Sequence, residues 1–316
     1  MIGKLLRDGN EKLREIGLGS YLDKGAETGN AMRQNRAYID SLTIETRLLD
    51  SVEACTEFQL FGQTYSMPIT TAALSGLDPI CKGGLIEVAK AVASVNSVMW
   101  VGIGEADELK AVIETGAKTV KIVKPYRDHD LVLKQLKDAE ALGAVAVGMD
   151  ITFFYGGKRE DSVIRGDIMG PKTVAEMRGF AESTDLPFII KGVLSEQDAR
   201  KALEAGASAI VVSTHGGAAL DFAVPPLQIL PDIAATVNGR IPIFVDSGIQ
   251  RGTDVLKALA LGADGVLIAR PIMAALALDG VEGVEKLFHG MSEELRRAMS
   301  MTSCAKLSDI DAELIW

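Results

Sequence analysis

A joint that recurs along the chain constrains its fold most. "ETGAKTVKIV" (114–123), "ALGAVAVGMD" (141–150), "EAGASAIVVS" (204–213) and "ALGADGVLIA" (260–269) each carry a Gly-Ala step followed by an apolar run. A segment rich in Ala, Lys and Glu precedes each glycine. Glycine just after a helix serves as its left-handed cap, and an uninterrupted apolar run is a strand buried on both faces. "PITTAAL" (68–74), "SVMWVG" (97–102), "PFIIKGV" (187–193) and "PIFVDSG" (242–248) fit the same plan with other joints, which makes eight strands. Amphipathic helices are predicted near 83–95, 105–116, 129–142, 172–184, 195–205, 226–237, 252–261 and 281–299. Eight such alternations over about 200 residues predict a parallel (β/α)8 barrel, an α/β TIM barrel. A doubly wound open sheet is the alternative, but no GxGxxG follows the first strand.

The rest of the chain is assigned around that barrel. Residues 1–67 read as an N-terminal helical and hairpin cap, 68–300 as barrel and 301–316 as a C-terminal tail, together a single domain. The 316 residues, 47% hydrophobic and 24% charged, suit a globular protein with a large core. The net charge of −10 argues against nucleic-acid or anionic-membrane partners. Three dispersed cysteines make neither a zinc pattern nor a CxxC, so no metal is expected and the compartment is read as reducing. No secretory signal pattern opens the chain, and a cytoplasmic protein is expected. The run "ALALGADGVLIARPIMAALAL" is broken by Gly, Asp, Arg and Pro and reads as strand plus loop rather than a membrane span.

Reactive groups of such barrels lie at the C-terminal strand ends. Those ends carry Lys124, Asp150, Lys191, His215, Asp246 and Arg270. Taken singly, a strand-end Asp is often only a helix cap and a Lys a solvated rim charge. Several charges crowded at one mouth cost stability unless a site compensates. After the seventh and eighth strands, "DSGIQRGTDV" and "IARP" place small residues and an arginine where barrels hold phosphate, so Ser247, Gly248, Ala269 and Arg270 are expected to grip a phosphorylated ligand. On those grounds alone the ligand is a sugar phosphate, a flavin or a pyridoxal phosphate.

"IIKGVLSEQDARKALEAGASAIVVSTHGGAALD" and "GRIPIFVDSGIQRGTDVLKALALGADGVLIARPI" resemble the FMN-dependent α-hydroxy acid oxidase and dehydrogenase family, which includes glycolate and lactate oxidases. "YLDKGAETGNAMRQNRAYID" and "MSEELRRAMSMTSCAKLSDI" extend the resemblance over nearly the whole chain. It implies FMN at the barrel mouth, with Lys191 near the flavin N1–O2 edge. It implies His215 as general base toward a substrate hydroxyl, Asp150 paired with the histidine, and Tyr21 in the active site. FMN contacts are implied for Ala73, Leu74, Ser75, Lys191, Ser213, His215, Gly216, Asp246, Ser247, Gly248, Gln250, Ala269 and Arg270, and substrate contacts for Lys124, Arg159, Gly217 and Ala218. Family resemblance also implies a homo-oligomer, tetramer or octamer, a small-molecule substrate and an electron acceptor of unknown kind.

Departures from the family pattern bear on the substrate. The stretch after the histidine is normally His-Gly-Gly-Arg-Gln-Leu-Asp, whereas here Ala218 stands where an arginine clamps the substrate carboxylate. An alanine cannot replace a bidentate guanidinium. The third-strand Gln-Leu-Tyr is lost to "KIVKPY", with Lys124 near the tyrosine's place, and Gln250 replaces the first arginine of Arg-Arg-Gly-Thr-Asp. The loop after the fourth strand is shortened to "REDSVIRGDIMGPK". The expected function is therefore oxidation of a 2-hydroxy acid or related hydroxy compound with a non-standard anchor. The alternatives are non-redox flavin chemistry of the type 2 isopentenyl diphosphate isomerase kind, a flavin-binding sensor or store, and a flavin-free Schiff-base aldolase using Lys191.

Overall fold

The structure is a computed structural model and describes residues 2–152, 163–164 and 166–316. Its centre is an eight-stranded parallel sheet: β3 (Ile69–Thr71), β4 (Val98–Val101), β5 (Lys118–Val123), β6 (Ala146–Asp150), β9 (Phe188–Val193), β10 (Ala209–Val212), β11 (Ile243–Val245) and β12 (Gly265–Ile268). Sequential strands are neighbours throughout, and β12 pairs with β3. Closure between β3 and β4 runs through a parallel bridge of Leu74 to Val101, with Leu74 N–H donating to the Trp100 carbonyl at 3.1 Å. The sheet is therefore the barrel that the repeated joints predict.

Those joints behave as the glycines demand. Gly143 caps the helix Leu142 ends at φ 91°, and Gly116, Gly206 and Gly262 share its positive φ. A side chain at such a φ meets its own backbone, so glycine is the residue that reverses direction there at least cost. The helices that follow the strands are α4 (Gly84–Ser94), α5 (Ala106–Ile113), α6 (His129–Leu142), α7 (Val174–Glu182), α8 (Glu196–Glu204), α9 (Pro226–Val237), α10 (Gly252–Ala260) and α11 (Arg270–Met301). They pack on the outward residues of the strands, such as Val147, Ile190, Ile210 and Val245.

Alternate residues point into the barrel. Trp100, Val120, Ile122, Ala146, Ile189, Val211, Phe244 and Leu267 fill it as one apolar cluster. The floor is closed by an antiparallel hairpin, β1 (Phe58–Leu60) and β2 (Gln63–Tyr65). Its Phe58 ring meets Phe244 edge-on at 6.2 Å, and Phe244 meets Trp100 at 5.3 Å. With the floor plugged, the open end is the one where the strands terminate.

Two details differ from the sequence-based expectation. The stretch after β12, expected to be loop, is helical from Arg270, and α11 breaks only at Asp279 and Gly280. Ile272, Ala274, Ala275 and Leu276 are all buried, so this turn of helix has no polar face to announce it. The loop after β6 contains a small antiparallel pair, β7 (Val163–Ile164) and β8 (Asp167–Ile168), anchored where Arg127 N–H donates to the Ile168 carbonyl. Among the described residues no helix is long and apolar enough to cross a membrane.

The N-terminal segment comprises α1 (Ile2–Glu15), α2 (Ser20–Asp23) and α3 (Asn30–Ser41). α1 runs along α11, and α3 sits on the loops after β10 and β11.

Candidate functional site

Strand alternation places the chemistry. Ile122, Ile189, Val211 and Phe244 face inward, so two residues on, Lys124, Lys191, Ser213 and Asp246 face inward too, one layer nearer the mouth. Asp150 joins them from β6, directly opposite Lys191 in register. All five are buried.

They form one connected network with His215. Asp150 Oδ2 lies 2.9 Å from Lys124 Nζ, 2.9 Å from His215 Nδ1 and 4.0 Å from Lys191 Nζ. Lys191 Nζ is 3.2 Å from Asp246 Oδ2 and donates to Ser213 Oγ at 2.9 Å. The other oxygen of Asp150 accepts from the backbone N–H and hydroxyl of Thr152. Burial opposes ionisation of Asp150, but Lys124, Lys191 and His215 outweigh it and hold the carboxyl well below its ordinary 3.8. Burial also works against the charge on Lys191, and Asp150 and Asp246 reverse that and raise it. His215 is shifted the other way, below 6.5: burial leads, Asp150 opposes, and Lys124 and Lys191 add to the fall.

Two backbone features aim these groups. At the end of β9 the register with β10 slips between Val211 and Val212, and Gly192 takes φ 107°. The bulge leaves Lys191 inward while a Cβ at Gly192 would lie 2.4 Å from Thr152 Cγ2. After β10, His215, Gly216 and Gly217 all have positive φ, at 52°, 66° and 83°. For histidine that is a strained conformation, of the kind held at functional sites by its surroundings. His215 N–H donates to Ser213 Oγ at 3.0 Å, and Gly216 N–H donates to Ser247 Oγ at 3.0 Å. From above, Ala26 N–H donates to the Gly217 carbonyl at 2.9 Å. A Cβ on Gly217 would sit 2.6 Å from the Met32 nitrogen, so the cap and this loop are in close contact.

The residues expected to grip a phosphate cluster around the same loop. Arg270, at the first turn of α11, donates through Nη2 to the Gly216 carbonyl at 3.1 Å and the Lys24 carbonyl at 2.8 Å. Ser247 and Gly248 follow β11 with φ 75° and 117°. Arg36 donates to the Gly248 carbonyl at 2.7 Å and pairs with Asp254. Asn35 donates to Thr214 Oγ1, while its own Oδ1 is buried without a hydrogen-bond partner among the described residues. An inward cation at the barrel mouth, the turn of backbone that enters α11 at Ala269 and Arg270, the arginine side chain there and an orphaned amide oxygen make a donor and acceptor set that fits a flavin mononucleotide: Lys191 could hold the ring, and Ser247, Gly248, Ala269 and Arg270 could hold the phosphate.

The expected residues are not all drawn together. Gly217 and Ala218 border His215, and Ala218 N–H donates to the His215 carbonyl at 3.1 Å. Ala73, Leu74 and Ser75 follow the first barrel strand, with Leu74 buried in its seam to β4. Gln250 N–H donates to Asp254 at 2.9 Å. Tyr21 stands on α2, partly buried, with no side-chain bond to the network among the described residues. Arg159 lies outside the described residues. Four contributors escaped the sequence reading: Thr152, Asn35, Arg36 and Asp221. Asp221 belongs to the quoted "HGGAALD", but its carboxylate serves α3, accepting from the Thr28 N–H and hydroxyl and from Ala31 N–H.

Comparison with known proteins agrees with this geometry. The family model for FMN-dependent dehydrogenases matches residues 12–178 and 166–316. The chain is 31% identical over 318 residues to 4-hydroxymandelate oxidase of Amycolatopsis orientalis, covering 90% of this chain and 89% of that one. Against glycolate oxidase 3 of Arabidopsis thaliana it is 28% identical over 337 residues, covering 95% and 91%. A crystal structure of a mandelate oxidase variant with 2-hydroxy-phenylacetamide superposes with a TM-score of 0.90 at 30% identity, covering 100% of this chain and 97% of that one. Barrel, strand-end network and matches over almost the full length lead to one conclusion: this chain belongs to the FMN-dependent dehydrogenase family, the flavin-dependent oxidases of 2-hydroxy acids.

Proposed function

We propose that the chain oxidises a 2-hydroxy compound at its hydroxyl-bearing carbon, with His215 as the base that accepts the hydroxyl proton. The observation that carries this is the His215 Nδ1 to Asp150 Oδ2 contact of 2.9 Å at the barrel mouth. With Nδ1–H donated to the carboxylate, Nε2 keeps its lone pair for the substrate. Proton acceptance makes an imidazolium, which Asp150 stabilises. FMN supplies the acceptor for the remaining hydrogen and its electron pair. Lys191 would hold the flavin ring and supply a buried positive charge beside it.

The substrate anchor differs from that of glycolate and lactate oxidases. Ala218 offers no guanidinium, so a small carboxylate loses its fork. Related mandelate oxidase structures hold 2-hydroxy-phenylacetamide and 4-Br-2-hydroxy-methylphenylacetate. We therefore favour a larger 2-hydroxy acid, or its amide or ester, over glycolate and L-lactate. The test is anaerobic mixing of the FMN-loaded protein with a panel of aliphatic and aryl hydroxy acids, amides and esters. Bleaching of the flavin by at least one is expected. His215→Ala should retain flavin and slow that bleaching about 10²–10⁴-fold. A protein that binds FMN and is reduced by none of the panel is a flavin-binding protein of another kind. Oxygen, a quinone and an artificial dye supplied in turn to the reduced protein identify its electron acceptor, and gel filtration its assembly, for which we expect a tetramer or octamer.

A further inference from the structure

The network holds one cation more than a histidine–carboxylate pair needs. Lys124 Nζ and His215 Nδ1 approach the same oxygen, Oδ2 of Asp150, at 2.9 Å each. The second oxygen is occupied by the backbone and hydroxyl of Thr152, so the carboxylate has no further free face to offer. Thr152 Oγ1 also stands 3.3 Å from His215 Nδ1. Lys124 is 7% exposed and comes from the strand-end proline turn of β5, where it has little room to swing away.

Consider what protonation of His215 would do here. In an isolated pair the carboxylate stabilises the imidazolium fully. Among the described residues the charges around the ring include Asp150 from β6, Lys124 from β5, Lys191 from β9, Asp246 from β11 and Arg270 from α11, with Asp23 of α2 acting on Arg270. Asp246 is engaged with Lys191. A proton on His215 would place a third cation around Asp150. We propose that Lys124 is a positioning residue that shares Oδ2 of Asp150 with His215, and so keeps the imidazole neutral and oriented to accept a proton. Lys124 then acts through Asp150 rather than as a substitute for the missing carboxylate clamp. The inference rests on His215 being the base, but its test needs no turnover.

The chain has three histidines, which makes direct titration by NMR practicable. FMN-supplied protein with isotope-labelled histidine is titrated, and the His215 signal is assigned by its loss in His215→Gln. The expected wild-type midpoint lies below 6.5. Lys124→Met should raise it by about one pH unit or more, the effect of removing a like charge within a few ångströms. Lys124→Arg, which keeps the cation, should restore a midpoint close to wild type. Lys124→Gln provides the same neutral arm should the methionine variant lose its circular-dichroism signature. An unmoved or lowered midpoint in the neutral variants overturns the proposal. Failure of every hydroxy compound to reduce the flavin would instead overturn the proposed reaction and leave this titration intact.

Discussion

The carboxylate of Asp221 accepts the backbone N–H of Ala31 at 2.7 Å, joining the loop after His215 to the first turn of α3 across 190 residues of sequence. Burial works against this charge, but bonds from Thr28 and Ala31 prevail and bring its pKa to about 2. A group depressed in the folded state contributes stability that is complete above its unfolded value, near 3.8, and lost as pH falls through about 2. Asp221→Ala should therefore loosen the cap over the mouth at neutral pH. The expected outcome is faster limited proteolysis between residues 24 and 35 and weaker FMN retention. Wild-type proteolysis in the variant would show that the cap is held by other contacts.

Arg270 stands at the start of α11 with its guanidinium on the Gly216 and Lys24 carbonyls. A charged hydrogen bond is worth about 1.5–3 kcal/mol. Arg270→Ala should weaken FMN binding by about 10- to 100-fold, measured by fluorescence on titrating flavin-free protein with FMN. An unchanged dissociation constant would place the phosphate elsewhere.

At Gly192 the φ of 107° and the 2.4 Å approach to Thr152 Cγ2 leave no room for a side chain. Gly192→Ala should destabilise the fold by about 1–3 kcal/mol, read from chemical denaturation. The double variant with Thr152→Ser relieves the Cγ2 clash but neither the 3.0 Å approach to the Thr152 nitrogen nor the φ, and should recover only part of that loss. Full recovery would mean that the backbone strain is negligible.

Ala218→Arg restores a guanidinium beside His215. Losing a two-pronged charged contact costs on the order of 10²-fold in efficiency. Wild type should be a poor oxidase of glycolate and L-lactate, and the variant should gain on both in kcat/KM. Wild-type turnover of either at about 10 s⁻¹, an ordinary enzyme rate, would remove Ala218 from the specificity argument.

The barrel was legible because its signals are local. A glycine cap needs only its own φ, and inward alternation needs only a strand's parity, so Lys124, Asp150, Lys191 and Asp246 could be assigned to one end before any contact was known. The helix beginning at Arg270 was missed because Pro271 to Leu278 are apolar on every side, the exposed Leu278 included, so no polar face marks the helix. Partners far apart in sequence were decided by tertiary structure. Thr152 bonds Asp150 locally but meets His215 only across the mouth, and Asn35, Arg36 and Asp221 find their partners some 180 to 220 residues away. Lys124 shows the division most clearly. Its position by the mouth follows from counting along β5, yet whether its ammonium faces a substrate or a carboxylate depends on how far β6 reaches. That reach is set by barrel register, and it brings Oδ2 of Asp150 to 2.9 Å from Lys124.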